Sequence, residues 1–185
     1  MSKLRYRFIL VFFLLILIIL FINHKDILKL AYPFHYQEII LEEAENNDLD
    51  PYLITAIIHV ESGFDPQATS RKNAKGLMQI MPRTGSWIAE ELGYDDFESE
   101  DLYNPKLNIK FGAWYLDQMG KVFDYHLTLM IAAYNGGQGN ISRWVIDDRW
   151  DGSEKNIDGI PFPETRQYVK KVMRTYRRYK YIYNN

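Results

Sequence analysis

Apolar positions recur every three or four residues along most of the chain, which predicts helices rather than strands. A stripe through Ile39, Ile40 and Ala44 marks an early helix. A second stripe begins behind Asp50-Pro51, a pair typical of a helix N-cap and first helical position. No run alternates convincingly between apolar and polar residues over five positions. We therefore expect a mainly α fold with at most a minor β element.

Proline, glycine and asparagine indicate where the later helices begin and end. One helix is predicted from Pro82 to Gly93, and another from Asn104-Pro105 to Gly120. Residues 147–160 are polar and contain glycine, so they are predicted to form a loop with room for a short hairpin. The remaining predicted helices run from Leu127 to Gly136, from Ile141 to Val145 and onward from Pro163.

Near the N-terminus, basic residues are followed by an apolar segment that has no polar face. Lys3, Arg5 and Arg7 precede an unbroken apolar run of 15 residues, Phe8 to Ile22. This length is short for a membrane span and also suits a signal peptide, but no small-residue cleavage site follows. We therefore expect residues 1–23 to be a cytoplasmic stub and transmembrane signal anchor. Residues 24–34 would be a connector, and residues 35–185 a single domain.

Composition narrows the functional classes. The chain has 185 residues, of which 47% are hydrophobic, and a formal net charge of −2. This charge gives no general attraction to nucleic acid, so no nucleic-acid partner is expected. Cysteine is absent, which excludes disulfides and thiolate zinc sites.

Glu61 is the candidate for acid–base chemistry. It follows Ile54, Ile57 and Ile58 by seven, four and three residues, so all four share one helix face. An apolar setting and a helix C-terminus both disfavour a charged carboxylate and raise its pKa. A carboxylic acid that is still protonated near neutral pH can protonate a glycosidic oxygen. From spacing alone, a glutamate that only caps the helix or forms an ion pair is equally compatible.

Four short blocks decide between these alternatives. They are E-S-G-F-D-P from Glu61, G-L-M-Q-I-M from Gly76, A-Y-N-G-G from Ala133 and P-F-P-E-T from Pro161. Together they resemble the catalytic domain of the soluble lytic transglycosylases, which has a lysozyme-like fold related to goose-type lysozymes. The resemblance spans Pro51 to Tyr176, in the family's order and approximate spacing.

The resemblance implies roles for individual residues. Glu61 would be the sole acid and base, and Ser62 would help to orient its carboxylate. Gln79 would hydrogen-bond sugar, whereas Met78 and Met81 would offer apolar contact. The Tyr134 hydroxyl would approach the catalytic carboxylate. The full set of implied substrate-binding residues is Ser62, Ser70, Gly76, Met78, Gln79, Met81, Tyr134, Asn135 and Glu164.

The resemblance also implies the reaction. Glu61 would protonate the β-1,4 bond between MurNAc and GlcNAc in peptidoglycan and then act as the base that forms a 1,6-anhydro-MurNAc end. No metal or cofactor is implied. Ordinary glycosidases use a second carboxylate, and the candidates for that position are Asp65, Asp95, Asp96 and Glu164. A hydrolytic muramidase of the same fold and a non-catalytic glycan-binding envelope protein remain alternatives.

The expected partners are peptidoglycan glycan strands and the membrane, reached through the N-terminal helix. Proteins of an envelope machine are further candidate partners. The catalytic domain would lie on the extracytoplasmic side of a single-pass anchor. Four tryptophans, Trp87, Trp114, Trp144 and Trp150, are candidates for sugar stacking or for the core.

Overall fold

The structure, a computed structural model, describes residues 2–184, with side chains from Tyr6 onward. Two of the three basic residues expected on the cytoplasmic side, Lys3 and Arg5, therefore have side chains outside the described residues. Helices account for most of the described chain, and it contains no β-strand beyond isolated bridges at Thr69–Lys75 and Lys75–Ile80. The prediction of a mainly α fold is confirmed.

The order of helices follows the sequence pattern closely. Residues 147–160 differ from their prediction, because they contain the 3-10 helix Glu154–Gly159 and no hairpin. A second 3-10 helix covers Ser99–Tyr103. The α-helices of the described residues are α1 (Ser2–Ile22), α2 (His24–Ala31), α3 (Gln37–Asn46), α4 (Pro51–Glu61), α5 (Pro82–Leu92), α6 (Pro105–Val122), α7 (Leu127–Gly136), α8 (Gln138–Ile146) and α9 (Pro163–Tyr183).

The core forms around α4. Ile54, Ile57 and Ile58 are all completely buried, and each such burial contributes roughly 1.5–3 kcal/mol. α4 packs along the long C-terminal helix α9 and also against α3, while α7 packs on α6, α8 and α9. Glu61 at the end of α4 is thereby placed beside the ends of α7 and α9.

The N-terminal helices have a different character. The apolar side chains of α1 are exposed, with Phe21 78% accessible. Within the described residues no single helix has both the length and the apolar character to cross a membrane, but Tyr6–Ile22 and His24–Ala31 meet the criterion as a pair bent by 62°.

The segment from α2 to Pro33 is attached to the domain by aromatic contacts. The Tyr32 ring stacks on His59 of α4, with ring centroids 5.3 Å apart. The Tyr183 hydroxyl donates to the Tyr32 carbonyl at 2.9 Å, and the Tyr179 hydroxyl donates to the Pro33 carbonyl at 2.8 Å. The predicted connector, residues 24–34, therefore contains a helix and rests against α4 and α9.

Candidate active site

The position of Glu61 follows from how α4 begins. The Asp50 side chain accepts a hydrogen bond from the Tyr52 amide at 2.9 Å, and Pro51 occupies the first helical position. This cap fixes the helical phase, so the buried isoleucine face continues to the last residue of the helix. Glu61 is that last residue, and its side chain lines a cleft of about 460 Å³.

Burial raises the pKa of Glu61 to about 7, and the nearby negative charge of Glu164 acts in the same direction. The Tyr168 hydroxyl of α9 acts against this increase by favouring the ionised carboxylate. That hydroxyl is fully buried, has no hydrogen-bond partner within the described chain and faces Glu61 without being bonded to it. Glu61 can therefore exchange a proton near neutral pH.

The cleft brings together most of the predicted site residues. Glu61, Gln79, Tyr134 and Glu164 come from three helices and the loop between α4 and α5. Charged, polar and apolar groups all reach the surface of the cleft. The residues that line it are Glu61, Ser70, Arg71, Lys72, Ala74, Gln79, Met81, Tyr134, Asn135 and Glu164.

The cleft continues on the far side of Gln79. A smaller pocket of about 190 Å³ shares Gln79, Met81 and Tyr134 with it and extends to Thr84 and Tyr115. Beyond Tyr115 the rings of Trp87 and Trp114 pack edge to face at 5.2 Å. Trp87 is 40% exposed, whereas Trp144 and Trp150 are buried in the core and cannot stack on a ligand.

Three predicted site residues do not reach the cleft with their side chains. Met78 is fully buried and packs on Gly112, so its thioether belongs to the core. Gly76 is also buried. The Leu102 carbonyl and the Asn108 side-chain amide lie so close to it that any side chain there would collide with them. Its φ of +75° lies in the left-handed region that favours glycine.

Ser62 is the third of these residues. Its hydroxyl donates to the Leu77 carbonyl at 2.8 Å and accepts from the Phe64 amide at 3.2 Å. It ties the end of α4 to the loop that follows, and its hydroxyl forms no hydrogen bond with the Glu61 carboxylate among the described residues. The reason is its position at the C-cap, where the chain has already turned away from the helix.

Asn108 is a site-forming residue that the sequence pattern did not reveal. It is completely buried on α6. Its side-chain oxygen accepts from the Met78 amide at 2.7 Å, and its amide group donates to the carbonyls of Lys75 and Leu102 at 3.0 and 2.7 Å. The only available signal was an amide residue at helical spacing on an apolar face, three residues before Phe111.

The turn that precedes α5 is also held from the cleft side. The Tyr134 hydroxyl donates to the Met78 carbonyl at 2.9 Å. Burial and the nearby charge of Glu61 raise the pKa of Tyr134, so its hydroxyl stays protonated. Asn135 accepts from the Thr165 hydroxyl at 2.9 Å, which joins the end of α7 to the start of α9.

Besides Glu61, one acidic residue of the described chain lines the cleft. Of the four considered as a second catalytic carboxylate, Glu164 alone lines the cleft, while Asp65 caps its own turn through the Gln67 amide at 2.9 Å. Glu164 is exposed and pairs with Lys72. Within the part of the chain that is described, no cluster of three or more His, Asp or Glu side chains is placed to hold a metal ion.

Known proteins that are similar in sequence to this chain are named as lytic murein transglycosylases. The "Putative soluble lytic murein transglycosylase" of Haemophilus influenzae is 32% identical over 80% of this chain and 25% of its own length. The "Membrane-bound lytic murein transglycosylase C" of Actinobacillus pleuropneumoniae is 33% identical over 80% of this chain and 46% of its own length. The chain thus spans a quarter to a half of these relatives.

A solved structure has the same fold. The lytic transglycosylase Slt of Pseudomonas aeruginosa, solved as an inactive mutant, superposes with a TM-score of 0.77 at 35% identity, covering 85% of this chain and 26% of that one. The family model described as "Transglycosylase SLT domain" matches residues 38–157. With this match over more than half of its length, the chain belongs to the transglycosylase SLT domain family.

Proposed function

We propose that this protein is a peptidoglycan lytic transglycosylase in which Glu61 is the only catalytic acid and base. The observation that carries the proposal is a single mostly buried carboxyl with a pKa of about 7, on the wall of a cleft long enough to continue past Tyr134. The family of the chain and the names of its relatives support the same substrate.

The chemistry needs one group that first gives and then takes a proton. Protonated Glu61 donates to the oxygen of the MurNAc–GlcNAc β-1,4 bond, which breaks and releases GlcNAc as the leaving group. The muramyl N-acetyl carbonyl stabilises the positive charge that develops at C1. The Glu61 carboxylate then removes the proton of the C6 hydroxyl as its oxygen attacks C1. Glu61 ends protonated again, the sugar ends as 1,6-anhydro-MurNAc, and no water is consumed.

The other cleft residues bind and position the glycan. Gln79 presents its side-chain oxygen to the sugar, because its amide nitrogen already donates to the Ala68 and Gly76 carbonyls. Asn135 presents its amide nitrogen, because its side-chain oxygen accepts from Thr165. Ser70 offers a hydroxyl, and Met81 offers an exposed apolar face. The loop that carries this surface is held in place by Ser62, Gly76 and Met78. The hydrogen bond from the Tyr134 hydroxyl to the Met78 carbonyl holds it as well. Glu164 and Lys72 border the cleft opening.

Mass spectrometry of digested peptidoglycan tests the reaction. Purified sacculi incubated with the full chain in mild detergent should give muropeptides with anhydro ends, lighter by about 18 Da, one water, than hydrolysed ends. Hydrated ends throughout would identify a muramidase instead. Glycan binding without any cleavage would identify a non-catalytic binder.

We further propose the membrane arrangement. Residues 1–23 anchor the chain as a single-pass segment, residues 24–34 connect it, and residues 35–185 form the catalytic domain on the extracytoplasmic side. The support is that α1 exposes an apolar surface that no other part of the described chain covers. A membrane-bound relative is consistent with this location. Partners would then be the glycan strands near the membrane, together with proteins of an envelope machine.

Membrane extraction tests the anchor. The full chain should remain with the membrane fraction in alkaline carbonate and dissolve in detergent, and protease added outside spheroplasts should digest residues 35–185. Release by carbonate, or protection of the domain from external protease, would contradict the proposed arrangement.

A further inference from the structure

Two basic residues lie in the cleft beside the candidate catalytic carboxyl. Arg71 and Lys72 line the same cavity as Glu61, and both are exposed. The proposed reaction gives no role to Arg71 and only a place at the opening to Lys72. Basic side chains are not required to protonate a neutral glycosidic oxygen, so their presence calls for another reason.

The turn that carries them is well fixed. The Ser70 amide donates to the Ala74 carbonyl at 2.9 Å, the Asn73 amide donates to the Ser70 carbonyl at 2.9 Å, and the Ser70 hydroxyl accepts from the Ala74 amide at 2.9 Å. Ala74 is buried, which anchors one end of the turn in the domain. Arg71 and Lys72 therefore project from the tip of a turn whose ends are joined by hydrogen bonds.

The Lys72 side chain already holds a carboxylate. Its Nζ donates to both carboxylate oxygens of Glu164, at 3.1 and 3.2 Å, which links the turn to the first residues of α9 across the cleft opening. The two side chains are 73% and 70% exposed. An exposed pair of this kind contributes little to stability, so another carboxylate can take the place of Glu164.

The charges of the cleft favour an anionic ligand group. Lys72 balances Glu164, and Arg71 forms no ion pair within residues 6–184. Whenever Glu61 is protonated, as the acid step requires, the cleft keeps one unbalanced positive charge. A guanidinium presents paired donors that match a carboxylate.

We propose that Arg71 and Lys72 form a carboxylate subsite that recognises the acidic part of the muramyl unit, next to the bond to be cleaved. This inference rests on the proposed function. The carboxylate has two chemical sources in peptidoglycan: the lactyl group of a muramyl residue without a peptide, and the free carboxylates of a stem peptide. Glu164 is the internal acceptor that the substrate carboxylate displaces from Lys72.

Binding of soluble glycan fragments tests the subsite. The full chain carrying Glu61→Gln, in mild detergent, is titrated by calorimetry with peptide-free and peptide-bearing fragments, each with free and with amidated carboxylates. Amidation should weaken binding about 5-fold, corresponding to roughly 1 kcal/mol. Adding Lys72→Met or Arg71→Met should reduce this difference, and removing both should abolish it.

Lys171→Met is the matched control, because Lys171 is an exposed lysine on α9 that lines neither pocket of the cleft. It should leave the effect of amidation intact. An effect with the peptide-free fragment identifies the lactyl carboxylate, and one confined to the peptide-bearing fragment identifies the stem peptide. Equal binding of free and amidated fragments, an effect that persists without Arg71 and Lys72, or no glycan binding at all would overturn the subsite. Product masses from the unsubstituted chain test the proposed function separately.

Discussion

Glu61 depends on neighbours that act in opposite directions. Burial and the charge of Glu164 raise the pKa of its carboxyl, whereas the Tyr168 hydroxyl works against the increase. Glu164 and Tyr168 are one helical turn apart on α9. Small changes on this single turn should therefore tune the pH at which Glu61 ionises, and the direction can be predicted for each.

Glu164→Gln should shift the pH dependence downward. As the proposed acid, Glu61 must be protonated in the free protein, so kcat/KM should fall as pH rises through about 7. Removing the negative charge of Glu164 makes ionisation of Glu61 easier, and the fall should begin at lower pH. Rates of glycan cleavage between pH 5 and 9 measure it. An unchanged midpoint would show that Glu164 does not act on Glu61.

Tyr168→Phe should shift the same midpoint upward. The hydroxyl favours the ionised form of Glu61, so its loss disfavours ionisation and leaves a fully buried apolar ring in place. We expect little change in the free energy of unfolding, because phenylalanine keeps the ring in place and removes only a hydroxyl that has no hydrogen-bond partner among the described residues. A midpoint that moves downward would contradict the assigned contact.

Glu61→Gln should stabilise the fold at alkaline pH. The carboxyl has a pKa of about 7 in the folded chain against an ordinary value of 4.5, so between these values the folded state holds a proton that the unfolded state releases. Stability therefore falls as pH rises through this window, by a total on the order of 3 kcal/mol.

The amide cannot ionise and escapes this loss. Urea unfolding should show the variant more stable than the parent at pH 8 and nearly equal to it at pH 4. Glu90→Gln, at an exposed position on α5, is the control and should show no such difference. Equal stability at pH 8 would mean that Glu61 is not buried as described.

At the scale of elements, the loop between α4 and α5 depends on a distant helix. Phe64, Asn73 and Gln79 adopt positive φ angles of 69°, 65° and 50°, which side chains other than glycine rarely do. Asn108 of α6 makes three hydrogen bonds to carbonyl and amide groups of this loop and of Leu102. These bonds hold the loop in its strained path.

Asn108→Ala should cost more than an ordinary amide substitution. It leaves the Met78 amide and the Leu102 carbonyl without a partner in a buried site, at about 2–4 kcal/mol in total, while the Lys75 carbonyl keeps the Ile80 amide. Asn104→Ala on the same helix is the control, since Asn104 only caps the helix through the Lys106 and Leu107 amides, a loss of about 1 kcal/mol. Urea unfolding compares the two, and equal losses would refute the role of Asn108.

The helices could be predicted and this loop could not, for a physical reason. Helical period, Asp50 and Pro51 are local signals, and they suffice to place Glu61 on the buried face of α4. The loop path depends on contacts between residues about 30 positions apart, such as Met78 with Asn108. For the same reason the resemblance implies an accessible Met78, which is in fact buried. The packing of α9 on α4 likewise turns the Tyr168 hydroxyl toward Glu61, which no local signal reveals.

At the scale of the whole molecule, the N-terminal segment and helix α4, which carries Glu61, share one aromatic cluster. The His59 ring stacks on Tyr32, and its Nδ1 donates to the Tyr179 hydroxyl oxygen at 3.0 Å, because the one hydroxyl hydrogen of Tyr179 goes to the Pro33 carbonyl. His59 lies two residues before Glu61 on α4. The segment between α1 and the domain is therefore packed against the helix that carries the candidate acid, which favours a fixed position of the cleft relative to the proposed membrane anchor.

The proposed reaction needs one carboxylate to act twice, and the formation of anhydro muropeptides tests this most directly. Purified peptidoglycan is digested near pH 6 with the unsubstituted chain, with Glu61→Gln and with Asp65→Asn, a carboxylate outside the cleft. Mass spectrometry should show anhydro ends forming about 10²–10⁴-fold more slowly with Glu61→Gln and at nearly the parental rate with Asp65→Asn. Anhydro ends that form at the parental rate without the Glu61 carboxyl would contradict this mechanism.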